Sequence, residues 1–332
     1  MWSGHRARSP NHKPSDLQSI DSAVFVTGAT GFIGQHVVSA LMQQGVPVRA
    51  MIRADKTSDS RLPVGCRQVP VALTDVDKLT SIIAQSSAVI YCAGTVRGRR
   101  PADFSEANVK GVQAILEALG RQADAPPLLL ISSLAASRPQ LSDYANSKYC
   151  GEELLLQTQH LPWTIIRPPA VYGPGDKDML PLFKMARRGL IMQPGPAGQR
   201  LSLIHVDDLA TAIASWLTAW QNCLHKTYSI DDGRPGGYDW PAIGRASGSG
   251  KHRIIRIPRI LLSMIARTNL VLSGVLGYSP MLTPGKVQEL IQSEWLCDNS
   301  NFSSATNWQP AVDLRRGVQR LFDSDTGFSA SP

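Results

Sequence analysis

Apolar runs and amphipathic stretches alternate along the first half of the chain. The run at 24–27 is β-branched and aromatic, as a buried strand requires, and it ends directly in a glycine. Phe32, Ile33, Val37, Val38, Ala40 and Leu41 then recur at a spacing that shares one side of a helix, which should stop near Gly45. A second strand is predicted at 47–52, a third at 66–73, and a helix at 74–84 capped by Thr74 or Asp75. Strands at 88–94, 127–131 and 163–167 follow, separated by helical patterns at 108–119 and from about Ser142. This alternation implies a parallel sheet covered on both faces, so the fold class is α/β, doubly wound.

Beyond Asp176 the pattern is less regular, with Pro- and Gly-rich segments at 193–198 and 232–237. A strand leading into a helix at 203–208 and a short strand near 228–230 suggest that 201–232 returns to the sheet. The domains expected are a mobile tail at 1–20, a dinucleotide-binding domain at 21–175 with 201–232, a smaller substrate-binding cap at 176–200 and 233–322, and a tail at 323–332. No internal repeat is evident.

Gly28, Gly31 and Gly34 lie three apart between the first strand and the first helix. Positions without side chains let the turn tighten and let backbone N–H groups approach a pyrophosphate, whose charge the positive end of the helix favours. Placed between strand and helix, the triplet reads as a phosphate cradle. The segment TGATGFIG resembles the TGxxGxxG of the short-chain dehydrogenase/reductase superfamily, in its extended, epimerase-like branch. The resemblance implies a Rossmann-like fold and a dinucleotide used for hydride transfer. The contacts it implies are Gly28, Thr30, Gly31, Phe32, Ile33, Gly34, Ala93, Gly94, Tyr144, Lys148 and Pro168.

The second strand ends at Arg53, where dinucleotide folds often carry an acid for the ribose hydroxyls. A guanidinium there suits a 2′-phosphate, so NADP (as NADPH) is preferred and NAD remains open. An exposed arginine with no phosphate nearby is the other reading.

Tyr144 and Lys148 are four apart and share a helix face. A phenol with a pKa near ~10 needs a neighbouring cation before it exchanges protons at neutral pH, and Lys148 can supply that field. A hydroxyl from Ser133 would hold the substrate oxygen while Tyr144 moves the proton; Ser132 is the competing choice. The catalytic set expected is Tyr144, Lys148 and Ser133. Asn108 either steadies the site or is an ordinary helical asparagine. Asp207 and Asp208 read as helix caps, and His205 as a packed residue.

Composition adds constraints. The chain has 332 residues, 43% of them hydrophobic, enough for one large core or two lobes sharing a cleft. A net charge of +8 and a pI near 9.4 admit nucleic acid, an anionic membrane or phosphate-bearing ligands. The basic residues are dispersed, so no nucleic-acid partner is expected. Arg97, Arg99, Arg100 and Lys110 border the expected cleft and read as a solvated loop or an anion contact. Five cysteines without a CxxC pair fit free thiols in a reducing compartment, and no metal site is expected.

Nucleotide-sugar epimerases often place an asparagine three positions beyond the arginine that ends the sixth strand; here that position is Ala170, in RPPAVYGPGD. The difference points to the branch with lipid-acting reductases. Residues 254–277 mix aliphatic side chains with Arg256, Arg259 and Arg267, as expected of a helix on an anionic membrane, a greasy substrate tunnel, or a cap core helix. Together with ISSLAAS, YANSK, IHVDDLA and LTPGK, these features resemble bacterial epimerase/dehydratase-like proteins, a set that includes 3-oxo-ceramide reductases.

The implied activity is hydride transfer between NADPH and a ketone or secondary alcohol on a hydrophobic, lipid-like small molecule. A nucleotide-sugar epimerase/dehydratase and a non-catalytic dinucleotide-binding assembly protein are the alternatives. A cytoplasmic location is expected, peripheral at the inner membrane surface if 254–277 meets lipid. A homodimer is compatible with the sequence.

Overall fold

In the computed structural model, which describes residues 23–248 and 250–327, the alternating part of the chain builds one parallel sheet. Its elements run β1 (Ala23–Thr27), α1 (Phe32–Gln43), β2 (Val48–Ile52), β3 (Arg67–Pro70), α2 (Val76–Ile83), β4 (Ser86–Tyr91), α3 (Pro101–Ser105), α4 (Gly111–Gly120), β5 (Leu128–Ile131), α5 (Asp143–Leu156) and β6 (Trp163–Arg167). Next come β7 (Ala170–Tyr172), α6 (Leu180–Arg187), β8 (Leu190–Gln193), β9 (Arg200–Leu201), β10 (Leu203–His205), α7 (Val206–Ala219) and β11 (Lys226–Ser229). The order is β11-β6-β5-β4-β1-β2-β3, a Rossmann-like sheet whose direction of winding reverses between β1 and β4. At such a reversal the loops leaving the strands' carboxyl ends diverge and open a crevice for ligand.

Successive strand residues face opposite sides, so each strand supplies both cores. Val24, Val26 and Ile90 pack with Val37, Leu41, Leu209 and Trp216 on one face. Phe25, Val89 and Tyr91 meet Leu79, Ile83, Ile115 and Leu119 on the other. This two-sided burial explains why β1, β2 and β5 are buried along their whole length.

The rest of the chain contains α8 (Trp240–Ala246), β12 (Arg253–Arg256), α9 (Arg259–Leu276), α10 (Pro284–Leu290), β13 (Glu294–Trp295), α11 (Ser300–Thr306) and α12 (Leu314–Gly327). Parallel two-stranded ribbons pair β7 with β10, β8 with β12 and β9 with β13.

Several boundaries differ from expectation. Of 201–232, only β11 joins the main sheet; 203–205 pairs with β7, because Pro168 and Pro169 end β6 and start a separate ribbon. Within 233–322, α11 packs on the sheet's outer layer: Phe302 meets Tyr228 edge-on at 5.2 Å, and Trp308 Nε1 donates to Thr211 at 3.1 Å. The predicted tail at 323–332 begins as helix, since α12 runs on to Gly327. The predicted tail at 1–20 lies outside the described residues. The third strand is shorter than 66–73 and the fourth covers 86–91, not 88–94.

Candidate active site

The glycine turn packs closely on two sides, against the chain leaving β4 and against the first turn of α1. Gly28 has φ +62°, and a Cβ there would stand 2.5 Å from the Ala93 nitrogen, where the chain leaves β4. A Cβ on Gly34 would stand 2.1 Å from the Gly28 carbonyl oxygen, so the first turn of α1 rests directly on the loop. Gly31 occupies the N-cap position, no side chain caps the helix, and its first turn has no acid. Amides left without a side-chain cap at a helix start are donors suited to a phosphate. A dinucleotide diphosphate fits this cradle. Thr30, Phe32 and Ile33 flank it, half-buried.

Across the crevice, Ala93 is buried, its amide bonded to Thr27 Oγ1 at 3.3 Å. A Cβ on Gly94 would come within 3.1 Å of both Asn108 Oδ1 and Lys148 Nζ, so a side chain here would crowd the site. Asn108 sits in a π-turn over Glu106–Lys110, an irregularity often found at functional sites. Its side chain clamps Thr95 through both backbone groups (3.1 and 3.0 Å) and donates to Ser147 Oγ at 2.9 Å. Ser147 in turn donates to the Tyr144 carbonyl at 2.8 Å. Asn108 thus ties the cofactor-side loop to the start of α5.

Ser142 caps α5, and Tyr144 and Lys148 follow on its first turns. The Ser133 hydroxyl accepts from the Ala135 amide at 3.2 Å and lies near enough to the Tyr144 phenol to act on its pKa, while Ser132 donates to the buried Glu152 carboxylate. Arg167 binds that same carboxylate at 3.0 and 3.1 Å through Nε. The two serines therefore have separate surroundings: Ser133 stands beside the phenol and Ser132 is locked in an ion-pair network. Pro168 is buried, and its carbonyl accepts from Leu134 N at 2.8 Å, holding the post-β6 loop against the Ser133 turn.

The electrostatics depart from expectation in one respect. Burial, aided by the Glu289 carboxylate, pushes the Tyr144 phenol up to about 12, with Ser133 acting in the opposite direction. Lys148 is itself buried and lowered to about 8 by desolvation, its Nζ donating to the Ile131 carbonyl at 3.1 Å. At neutral pH the pair is a protonated phenol and an ammonium.

Tyr144 forms part of the wall of a cavity of about 490 Å³ between α3, the start of α5, α9 and α10. Phe104 lies 6.2 Å from the Tyr144 ring, and the Lys286 ammonium stands 5.7 Å over its centroid. Lys286 and Ser142 both bind Glu289, a buried carboxylate from the far end of the chain. Sequence reasoning assigned no role to Lys286 or Glu289; the LTPGK run at 282–286, which opens α10 and ends in Lys286, was their only local signal.

Other predicted residues lie apart. Arg53 directly follows β2, one strand from the glycine turn, its side chain 76% exposed and bonded to Asp55 at 3.1 and 2.9 Å. In the basic loop, Arg97 pairs with Asp178, Arg100 with Asp103 and Lys110 with Glu106, and Arg99 donates to the Ser273 carbonyl at 3.1 Å. The cap of α7 is the His205 ring rather than Asp207 or Asp208, which lie inside its first turn. Asp208 instead accepts from the amides of Ala311 and Val312. His205 is fully buried and pushed down to about 4, hence neutral. Among the described residues, no group of three or more His, Cys, Asp or Glu side chains is placed to hold a metal.

A diphosphate cradle at the winding reversal, facing a serine, a tyrosine and a lysine, defines an enzyme of the nicotinamide-dinucleotide class. The chain belongs to the NAD dependent epimerase/dehydratase family, whose model matches residues 24–230. It is 31% identical to a ceramide reductase of Caulobacter vibrioides, over 82% of this chain and 85% of that one. It is 27% identical to 4-hydroxy-2-methyl-3-oxo-4-farnesyl-3,4-dihydroquinoline-1-oxide ketoreductase of Stigmatella aurantiaca, over 64% of this chain and 68% of that one. In fold it is similar to the Bacillus cereus UDP-glucuronic acid 4-epimerase solved with UDP-glucuronic acid and NAD, with a TM-score of 0.66, 19% identity, and 92% and 99% of the two chains covered.

Proposed function

We propose that this enzyme reduces a ketone on a hydrophobic, lipid-like molecule with NADPH, and that a 3-oxo-ceramide is the leading candidate substrate. The observation that carries the reading is the position of the Tyr144 phenol on the wall of a cavity that apolar residues of α9 and the following loop, Leu270, Pro280 and Met281, help to close. The two reductases named above support it, since a ceramide and a farnesyl compound both carry long hydrocarbon chains.

Bound nicotinamide supplies the hydride. Ser133 holds the carbonyl oxygen, and Tyr144, protonated at neutral pH, donates to that oxygen as it gains charge. The Lys148 ammonium offsets the charge left on the phenol. Because Lys148 is a cation only below about 8, the turnover rate for ketone reduction should be level at lower pH and fall as pH rises through that value, with Tyr144 still protonated. A pH profile at saturating substrate checks this; a level profile well beyond pH 8 would remove Lys148 from the step. Screening long-chain ketones, secondary alcohols and nucleotide sugars by nicotinamide absorbance, with product identification, tests the reading as a whole.

NADPH is the preferred cofactor in this account through Arg53. Its pair with Asp55 is solvent-exposed, so its worth is about 0–1 kcal/mol and a 2′-phosphate can displace it. Charge-assisted bonds to that phosphate contribute about 1.5–3 kcal/mol, so Arg53→Asp should weaken NADPH binding roughly 10- to 100-fold and leave NADH binding unchanged. Fluorescence titration of both dinucleotides reads the change; an unaltered preference would eliminate the assignment.

A further inference from the structure

Helix α9 has an apolar surface that no described residue covers. Its inner side packs through Leu262 and Ala266 onto Val287. On the outer side Ile260, Leu261, Met264, Ile265, Val271, Leu272, Val275 and Leu276 are all exposed, Ile260 at 76% and Val275 at 81%. A helix apolar on nearly every side requires burial in a core or in lipid. It is long and apolar enough to cross a membrane by length and composition. Its connections oppose a span, because β12 immediately before it pairs with β8, and the chain after it returns to pack α10 against the same helix. Asn269 is also tied to the Leu282 carbonyl at 2.9 Å. The helix therefore lies along the protein surface.

We infer that the exposed face of α9 seats the enzyme on an anionic lipid bilayer, with the mouth of the Tyr144 cavity turned toward the lipid. Charge complementarity selects this occupant. No acid lies in the sequence between Asp239 and Glu289, whereas Arg253 and Arg256 lie on the strand that leads into the helix and Arg259 and Arg267 on the helix itself. Arg267 sits near the middle of the 18-residue helix, among the exposed apolar side chains. Two copies packed along this face would bring their Arg267 guanidiniums together with no acid from this segment to neutralise them. On a bilayer, the aliphatic stem of Arg267 lies against the acyl boundary and its head reaches phosphate, while the helix sinks about 5–10 Å.

The cavity supplies the link to function, and this part rests on the proposed lipid-ketone reading. Leu270 lines the cavity while its neighbours Val271 and Leu272 face outward, so the apolar face is continuous with the cavity wall. A volume of about 490 Å³ is that of a site for a drug-sized ligand (roughly 300–1,000 Å³), too small for two long acyl chains as well as a keto head group. The chains of such a substrate stay in the bilayer while its head enters.

Flotation of the full chain with vesicles of phosphatidylglycerol and phosphatidylcholine in equal parts tests the surface without any substrate. The wild type should float with these vesicles, bind pure phosphatidylcholine more weakly, and detach in high salt. Combined Met264→Glu, Val271→Glu and Val275→Glu, all at exposed positions outside the cavity, should weaken vesicle binding at least ~10-fold. The same variant should retain turnover of a short water-soluble ketone and lose turnover of a vesicle-borne long-chain ketone. Arg256→Glu with Arg267→Glu should abolish the preference for phosphatidylglycerol. Absence of wild-type flotation, or equal flotation of the triple variant, overturns the inference; so does a wild-type dimer that the triple variant dissociates without any vesicle binding. If vesicles bind but neither ketone is reduced, the docking surface stands and the substrate reading fails.

Discussion

Tyr144→Phe should lower the turnover number for ketone reduction by about 10²- to 10⁴-fold while NADPH affinity stays nearly unchanged. The substitution removes one oxygen and keeps the ring, so the packing on Phe104 and under Lys286 persists. Ser133 remains to hold the carbonyl, but an aliphatic hydroxyl is a far weaker acid than a phenol and does not replace it as the proton donor. The glycine turn that would bind the diphosphate belongs to separate elements, β1 and α1. Steady-state kinetics with a parallel NADPH titration separates the two quantities. A fall of less than about ten-fold would mean that another group delivers the proton.

Gly34→Ala should abolish dinucleotide binding and destabilise the fold by at least ~1–3 kcal/mol. Its Cβ would stand 2.1 Å from the Gly28 carbonyl oxygen and 2.8 Å from the Ala29 Cα, both backbone, so no side chain can swing aside. Relief requires α1 to lift away from the turn, opening the amide cradle and parting Val37, Val38 and Leu41 from the sheet. Urea denaturation and NADPH titration of the variant measure both consequences. Gly120→Ala is the control: it lies at the end of α4 with nothing within 4 Å of a new Cβ, and should leave both quantities nearly unchanged.

The sheet was legible because parallel strands covered on both faces must be largely apolar, as 24–26, 128–131 and, apart from Thr164, 163–166 are. Tyr144 and Lys148 were legible because four-residue spacing fixes a shared helix face. The choice between adjacent serines was hidden, since it depends on Glu152 and Arg167 drawing Ser132 into their network. Glu289 was hidden for a different reason: Thr283 and Pro284 announce a helix start, but only tertiary folding places that helix against Ser142. The upward push on the phenol was hidden because the spacing of Lys148 says nothing of the burial that raises Tyr144 or of the Ile131 carbonyl that holds the ammonium. The ribbon at 203–205 was missed because a three-residue apolar strand carries no mark of its partner.

The most direct measurement is isotope transfer from NADPH deuterated on the nicotinamide carbon that gives up hydride, incubated with a vesicle-borne 3-oxo-ceramide. The account predicts one deuterium on the new carbinol carbon, one NADP formed per alcohol, and loss of both in Tyr144→Phe. Conversion of a nucleotide sugar to its epimer without net NADPH consumption, together with no deuterated alcohol from any long-chain ketone, would contradict it.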